Sequence, residues 1–393
     1  ATPLISNALG AGGNPGIAPG ETLVVPAGTY HESIVVDQAV TISGVDRPTI
    51  EGEINVRTDG VTLRGLEVTS HGKSGENSEV QAIFVGNANG WSDQSDESVV
   101  IEDVVIDGVK PGESTKTVEG IHVKSYTSED GPVPIDGVEI KDVLIEDVSQ
   151  PDAGADGLKL QADVRNVDIQ NLAVNDVEGK WAYGVVATPS SKEQGVPTSV
   201  QISKSSIRNV NGIDYLGNGV GIDGKPANGF ASADEVSISE TTFENNGRHY
   251  YVAKSESEDL QGLLESSDGE TPSIIAANTF DNAATVSDVK HVFGSAQAAE
   301  NTAPTDGTVT VFDTQSTYGS LVVDTEGLQV VGEGQPTVDG WVDMAAADTT
   351  LDGFEIAPGR TYTAQIWDTE LEKQGNPYGV RISGGADKIS GIE

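Results

Sequence analysis

The chain has no cysteine, one methionine, and only 22 basic residues against 62 acidic ones. Without cysteine, disulfides, thiolate catalysis and cysteine-ligated zinc are excluded. Without a basic patch to neutralise phosphate, nucleic-acid binding is disfavoured. No apolar run approaches the ~20 residues of a membrane span, so none is expected. No asparagine stands in an Asn-x-Ser/Thr sequence, so N-glycosylation is not expected. The opening at Ala1 fits an exported protein whose signal has been removed.

What the chain has in excess is negative charge and glycine. The net charge is −40, yet the acids are scattered among regular apolar alternations, which argues against disorder. The scarcity of Lys along the whole chain fits a surface adapted to molar salt. At about 1 M the Debye length falls to ~3 Å and self-repulsion is screened. No cofactor is read from the sequence, though the acids leave calcium loading open. The 47 glycines and the dominance of Val, Ile and Thr point to an all-β protein.

The glycines recur in a motif. Glu119-Gly-Ile-His-Val123, Asp156-Gly-Leu-Lys-Leu160, Tyr183-Gly-Val-Val-Ala187, Asn218-Gly-Val-Gly-Ile222 and Tyr378-Gly-Val-Arg-Ile382 share one form, and Gln81-Ala-Ile-Phe-Val85 matches with Ala for Gly. The central residues Phe84, His122, Lys159, Val186 and Gly221 lie 38, 37, 27 and 35 positions apart, a period that marks a solenoid. Each unit adds a longer strand such as Val99–Val109, Val138–Val148 or Val164–Val177. No helical periodicity separates the strands, which excludes βαβ crossovers. Stretches 86–97, 111–117, 126–134, 188–198 and 223–234 read as outer loops, and 254–268 as a short surface helix.

Four segments follow: a leader or cap over 1–20, a solenoid over 21–293, a linker over 294–307, and a second, incomplete solenoid over 308–393. The second repeats the opening of the first. Thr29–Asp37 matches Thr317–Asp324, Arg47–Gly52 matches Gln335–Gly340, and Val61–Val68 matches Thr349–Ile356. Residues 388–393 read as the start of one more strand. With no cap visible beyond it, either a longer chain or a stacked neighbour is expected there.

These rungs resemble the right-handed parallel β-helix of the pectin-lyase-like superfamily, including the parallel β-helix repeat proteins exported by halophilic archaea. The resemblance covers roughly residues 20–290 and again 307–393. It implies fold more than chemistry. The Asn-Thr-Asp, paired Asp, Gly-His-Gly and Arg-Ile-Lys elements of polygalacturonases do not occur in that order. The Gly28, Tyr30, Glu32 entry is shared with pectin methylesterases, whose catalytic Asp segments are missing. The calcium cluster of a pectate lyase has candidates here but no motif.

Equivalent positions on neighbouring rungs sit about 4.8 Å apart. Glu119 and Asp156 are therefore expected to stack. His122 and Lys159 are expected in matching outward positions, with Lys124 two residues on. Such a face could bind Ca²⁺ or serve acid–base work with Glu119, Asp156 and Lys159; the plainer alternative is a set of solvent-facing polar residues. Arg248 and Tyr250 belong to a basic-aromatic cluster that could contact sugar or cover the last rung. The Gly column serves positive φ or close packing. The leading functional expectation is a non-catalytic extracellular structural or adhesive protein: a surface appendage, filament subunit or virion fibre that self-associates by end-to-end or lateral stacking. The alternatives are a secreted polysaccharide lyase or hydrolase, and a carbohydrate-binding module.

Overall fold

The computed structural model describes residues 5–10, 16–71, 79–86, 98–112, 116–128, 131–190, 195–225, 229–230, 235–252, 273–287, 289–314, 316–357, 380–382 and 388–390. The chain forms two compact units, Ala1–Thr279 and Phe280–Glu393.

The first unit is built from parallel strands paired in register. Six of them carry the site: β1 (Val80–Val85), β2 (Val118–Lys124), β3 (Ile135–Gln161), β4 (Val164–Thr188), β5 (Asn218–Ile222) and β6 (Arg248–Val252). Each repeat contributes to three parallel ladders, and each ladder carries buried columns of apolar side chains. In the first, one column runs Ile54, Ile83, Ile121, Leu158, Val185, Val220 and ends on Tyr250. In the second, one runs Leu63, Ile101, Ile140, Ile169, Ile202 and Ile238. In the third, one runs Val68, Ile106, Ile145, Val174, Ile207 and Phe243. Every member of these three columns is buried. Each such side chain contributes roughly 1.5–3 kcal/mol through burial, so the columns are the main stabilising element of the unit.

The longer strands bend. Asp142, Asp147, Asn166, Asn171, Asp176 and Asn209 take φ between 52 and 56°, the left-handed region that short polar side chains tolerate best. These corners also stack through their side chains. Asn171 Nδ2 donates to Asp142 Oδ1 at 2.6 Å, and Asn245 Nδ2 donates to Asn209 Oδ1 at 2.8 Å. The gap of two polar residues in the strand pattern is thus a corner rather than a straight run.

Several expected loops carry structure. Residues Tyr126–Ser128 and Gly131–Val133 form an antiparallel hairpin, as do Gly224–Lys225 and Gly229–Phe230. The expected leader holds a single helical turn, α1 (Ile5–Ala8). Glu32 accepts from the backbone N–H of Ile5 and Ser6, which satisfies donors that a helix start leaves free. The expected helix at 254–268 and the acidic loop at 92–98 lie outside the described residues.

The second unit opens with antiparallel strands Ala284–Val286, Val289–Phe293 and Thr308–Phe312, then continues in parallel pairs. The stretch 294–307, expected as a linker, carries secondary structure. It holds α2 (Ala296–Glu300), with Ala296, Ala299 and Glu300 buried. Gln297 pairs like a strand with Val322, its Oε1 accepting from the backbone N–H and its Nε2 donating to the carbonyl. Glu300 accepts from the backbone N–H of Asp324 and Thr325. The repeated opening is visible in the register: Tyr30 and Tyr318 are both buried, and Ile34↔Ile54 corresponds to Leu321↔Val342. Lys388–Ser390 pairs with Thr350–Asp352. Among the described residues, no helix is long and apolar enough to cross a membrane.

Candidate functional site

The Gly motif sets the geometry. In a regular strand residues i and i+3 face opposite sides. In β2, however, Val118 and Ile121 both lie in the core, and Glu119 and His122 share the other face. Gly120 takes up the irregularity. A Cβ there would stand 2.5 Å from the Gly157 carbonyl oxygen and 2.7 Å from a methyl of Ile145. Gly157 and Gly184 are equally crowded, against Gly184 and Gly219 on the next strand. None of Gly120, Gly157, Gly184 and Gly219 has a positive φ, so close packing alone explains the column. Gly379 lies outside the described residues.

The residue before each Gly and the residue two after it therefore line one stripe across six strands. Gln81, Glu119, Asp156, Tyr183, Asn218 and Arg248 are in register, as are Phe84, His122, Lys159, Val186, Gly221 and Tyr251.

The first half of this stripe is enclosed. Glu119 and His122 are 0% exposed and Asp156 3%. This corrects the expectation of solvent-facing polar residues. Lys159 is 12% exposed and donates to Glu119 Oε1 at 2.8 Å, while its Nζ lies 3.4 Å from Asp156 Oδ2. Gln81 Nε2 donates to Glu119 Oε2 at 2.9 Å. His122 Nδ1 stands 3.4 Å from the same oxygen without hydrogen-bond alignment. Among the described residues, neither ring nitrogen of His122 has a hydrogen-bond partner, nor has Asp156 Oδ1.

The two carboxylates are pushed apart. Burial alone would raise Glu119, but Lys159 and His122 outweigh it and hold the group at about 2, so it is ionised. Burial raises Asp156 to about 7, opposed by Lys159 and reinforced by Glu119. Burial pulls Lys159 down, yet the two carboxylates prevail and its pKa lies above the ordinary lysine value. A carboxylate held ionised beside one that titrates near neutrality is a division suited to acid–base chemistry. Glu79, Glu119 and His122 also each offer an atom within 4.8 Å of the others, a group able to hold a metal ion.

The second half of the stripe is aromatic and more open. Gly221 leaves room for the Tyr183 ring, since a Cβ there would lie 2.4 Å from it. Tyr183 leans toward Tyr251, with ring centroids 6.4 Å apart. The Arg248 guanidinium carbon lies 5.1 Å from the Tyr251 ring centroid. Trp181, 40% exposed, lies on the same side of β4 as Tyr183. Ile213–Tyr215 runs beside Gly179–Trp181, with Ile213 N–H donating to the Gly179 carbonyl, and Tyr215 is 63% exposed.

Arg248 stands in the stripe, and Lys124 lies 4.9 Å over the Tyr126 ring. Of the two roles open to Tyr250, sugar contact and cover of the last rung, its burial at 0% exposure and its place at the end of a core column fit the second; the tyrosine that β6 gives to the stripe is Tyr251. The alternation was the available signal, because Tyr250 pairs with the inward Val220. Gln81, Tyr183 and Asn218 were also readable, each standing immediately before the Gly or its Ala equivalent. Trp181 and Tyr215 had no motif to reveal them. Comparison with known protein families and with curated proteins returns no match to this chain.

Proposed function

We propose that the first unit is a right-handed parallel β-helix of the pectin-lyase-like type that binds carbohydrate polymer along its stripe, in an extracellular, high-salt setting. The observation that carries this reading is the aromatic half of the stripe. Trp181 and Tyr215 expose large rings on a paired, rigid framework, beside partly exposed Tyr183, Tyr251 and Arg248. Exposed apolar patches rimmed by polar groups mark interaction sites. Aromatic faces with polar edges suit sugar rings, which are apolar on one face and hydroxylated at the rim. The rung spacing of about 4.8 Å offers a repeating ligand a repeating set of contacts.

Binding without turnover ranks first because Glu119, Asp156 and His122 are enclosed, so a polymer reaches only the aromatic end. Such a module suits an adhesive surface protein, whether appendage, filament subunit or virion fibre, and end-to-end or lateral self-association belongs to the same proposal. The test is retention on a panel of polysaccharides at 2 M NaCl, using the full chain. Trp181→Ala and Tyr251→Ala should each weaken binding at least tenfold with no product formed. Absence of any retained glycan, or binding indifferent to both substitutions, sinks the reading.

A second reading, a polysaccharide lyase or hydrolase, draws on the divided pair Glu119 and Asp156 beside Lys159. Incubation with uronate polymers and calcium, followed by the absorbance of unsaturated products, tests the lyase form. Activity lost in Lys159→Ala would place this reading first.

A further inference from the structure

We propose that Glu79, Glu119 and His122 form a binding site for a divalent transition-metal ion of the zinc and cobalt class. The inference stands apart from glycan binding, since the aromatic half of the stripe takes no part in it.

Three observations converge. First, the ligand atoms are already gathered: one from each residue, all within 4.8 Å of one another. Second, His122 is fully buried with neither ring nitrogen hydrogen-bonded among the described residues. An unpartnered buried imidazole costs stability, and neutral imidazole is the commonest metal ligand. Third, His122 Nδ1 and Glu119 Oε2 stand 3.4 Å apart with no hydrogen bond between them. A tetrahedral ion with bonds of about 2.1 Å sets its ligand atoms about 3.4 Å apart.

The chemistry of the set selects the ion. One imidazole with two carboxylates suits zinc-class ions, whereas calcium takes six to eight oxygens and disfavours nitrogen. Three protein ligands leave the fourth tetrahedral position open, the arrangement of catalytic rather than structural zinc sites. Asp156 Oδ1, also unpartnered, lies on the strand in register with Glu119.

Lys159 does not compete for the site. Its ammonium binds Glu119 Oε1, leaving Oε2 with one neutral donor, Gln81 Nε2, and a lone pair for the ion. A ligating carboxylate held from behind in this way is the usual outer-shell arrangement. With Asp156 ionised, three carboxylates and one ammonium leave two negative charges, which a divalent ion cancels.

The experiment uses the full chain, treated with EDTA and then titrated with Co²⁺ at pH 7.5 in 2 M NaCl, with the visible bands of four-coordinate cobalt as the readout. One Co²⁺ per chain is expected, displaced by one Zn²⁺. Glu79→Gln should weaken binding at least tenfold, and because Glu79 is exposed the fold is preserved, as circular dichroism would verify. His122→Phe should abolish the bands. Only six-coordinate spectra with weak, non-stoichiometric uptake would overturn the assignment. So would four-coordinate bands that persist unchanged in Glu79→Gln.

Discussion

At the scale of the residue, the enclosed half of the stripe is an ionic network whose members depend on one another. Among the described residues, Lys159 is the one ammonium that contacts both Glu119 and Asp156. Removing one partner of a buried ion pair leaves the other uncompensated and costs about 3–5 kcal/mol. Lys159→Met is therefore expected to lower the melting temperature by several degrees, measured by circular dichroism at fixed salt; an unchanged melt would show that the network adds nothing to stability. The carboxylates act in opposite directions with pH. Glu119, depressed from 4.5 to about 2, contributes stability that is lost as pH falls through that range. Asp156, raised from 3.8 to about 7, binds its proton more tightly folded than unfolded. Its contribution is therefore full below about pH 4 and is lost as pH rises toward 7, on the order of 4 kcal/mol at the upper limit. Asp156→Asn should flatten the fall in melting temperature between about pH 4 and 7. A fall as steep as in the parent chain would mean that Asp156 titrates normally. These residues were legible as a stacked set, because the motif gave their register. Their burial was not, because alternation assigns a side and says nothing of what covers it.

At the scale of the element, two devices let the strands stack without helices between them. One is the crowded Gly column. Gly157→Ala would place a Cβ 2.5 Å from a backbone oxygen and 2.8 Å from Val174, and overpacking of this kind costs about 1–3 kcal/mol or more. The expected drop in melting temperature is a few degrees, whereas an unaltered melt would contradict the close-packing account. The other is the left-handed Asx corner. Asn171→Val at φ 52° should cost about 1–2 kcal/mol and Asn171→Gly less, read by denaturant midpoint. The glycines and the two-residue gaps were plain in the sequence. That the gaps bend the chain required the φ values, since a polar pair is compatible with a straight strand as well. The short helices α1 and α2 were invisible to periodicity, being one turn each and tied to distant residues, α1 through Glu32 and α2 through the bonds of its own Gln297 to Val322.

At the scale of the whole molecule, the net charge of −40 dominates behaviour in solution. Mutual repulsion destabilises a compact chain in dilute buffer and is screened as the Debye length shrinks. The melting temperature is expected to rise steadily between 0.1 and 2 M NaCl; a flat profile would remove the argument for salt adaptation. The all-β character, the parallel stacking and the inward columns were legible in the order of residues alone, because all three follow from a side-chain period of two repeated at tens of residues. The same order also set which residues share the stripe, since the Gly motif recurs in fixed register. The folded chain was needed to show that Glu119, His122 and Asp156 are enclosed while Trp181 and Tyr215 are exposed, that Tyr250 belongs to the core, and that the compact units divide at Thr279. Those outcomes depend on which segments, distant along the chain, lie over each strand, and local patterning carries no record of that cover.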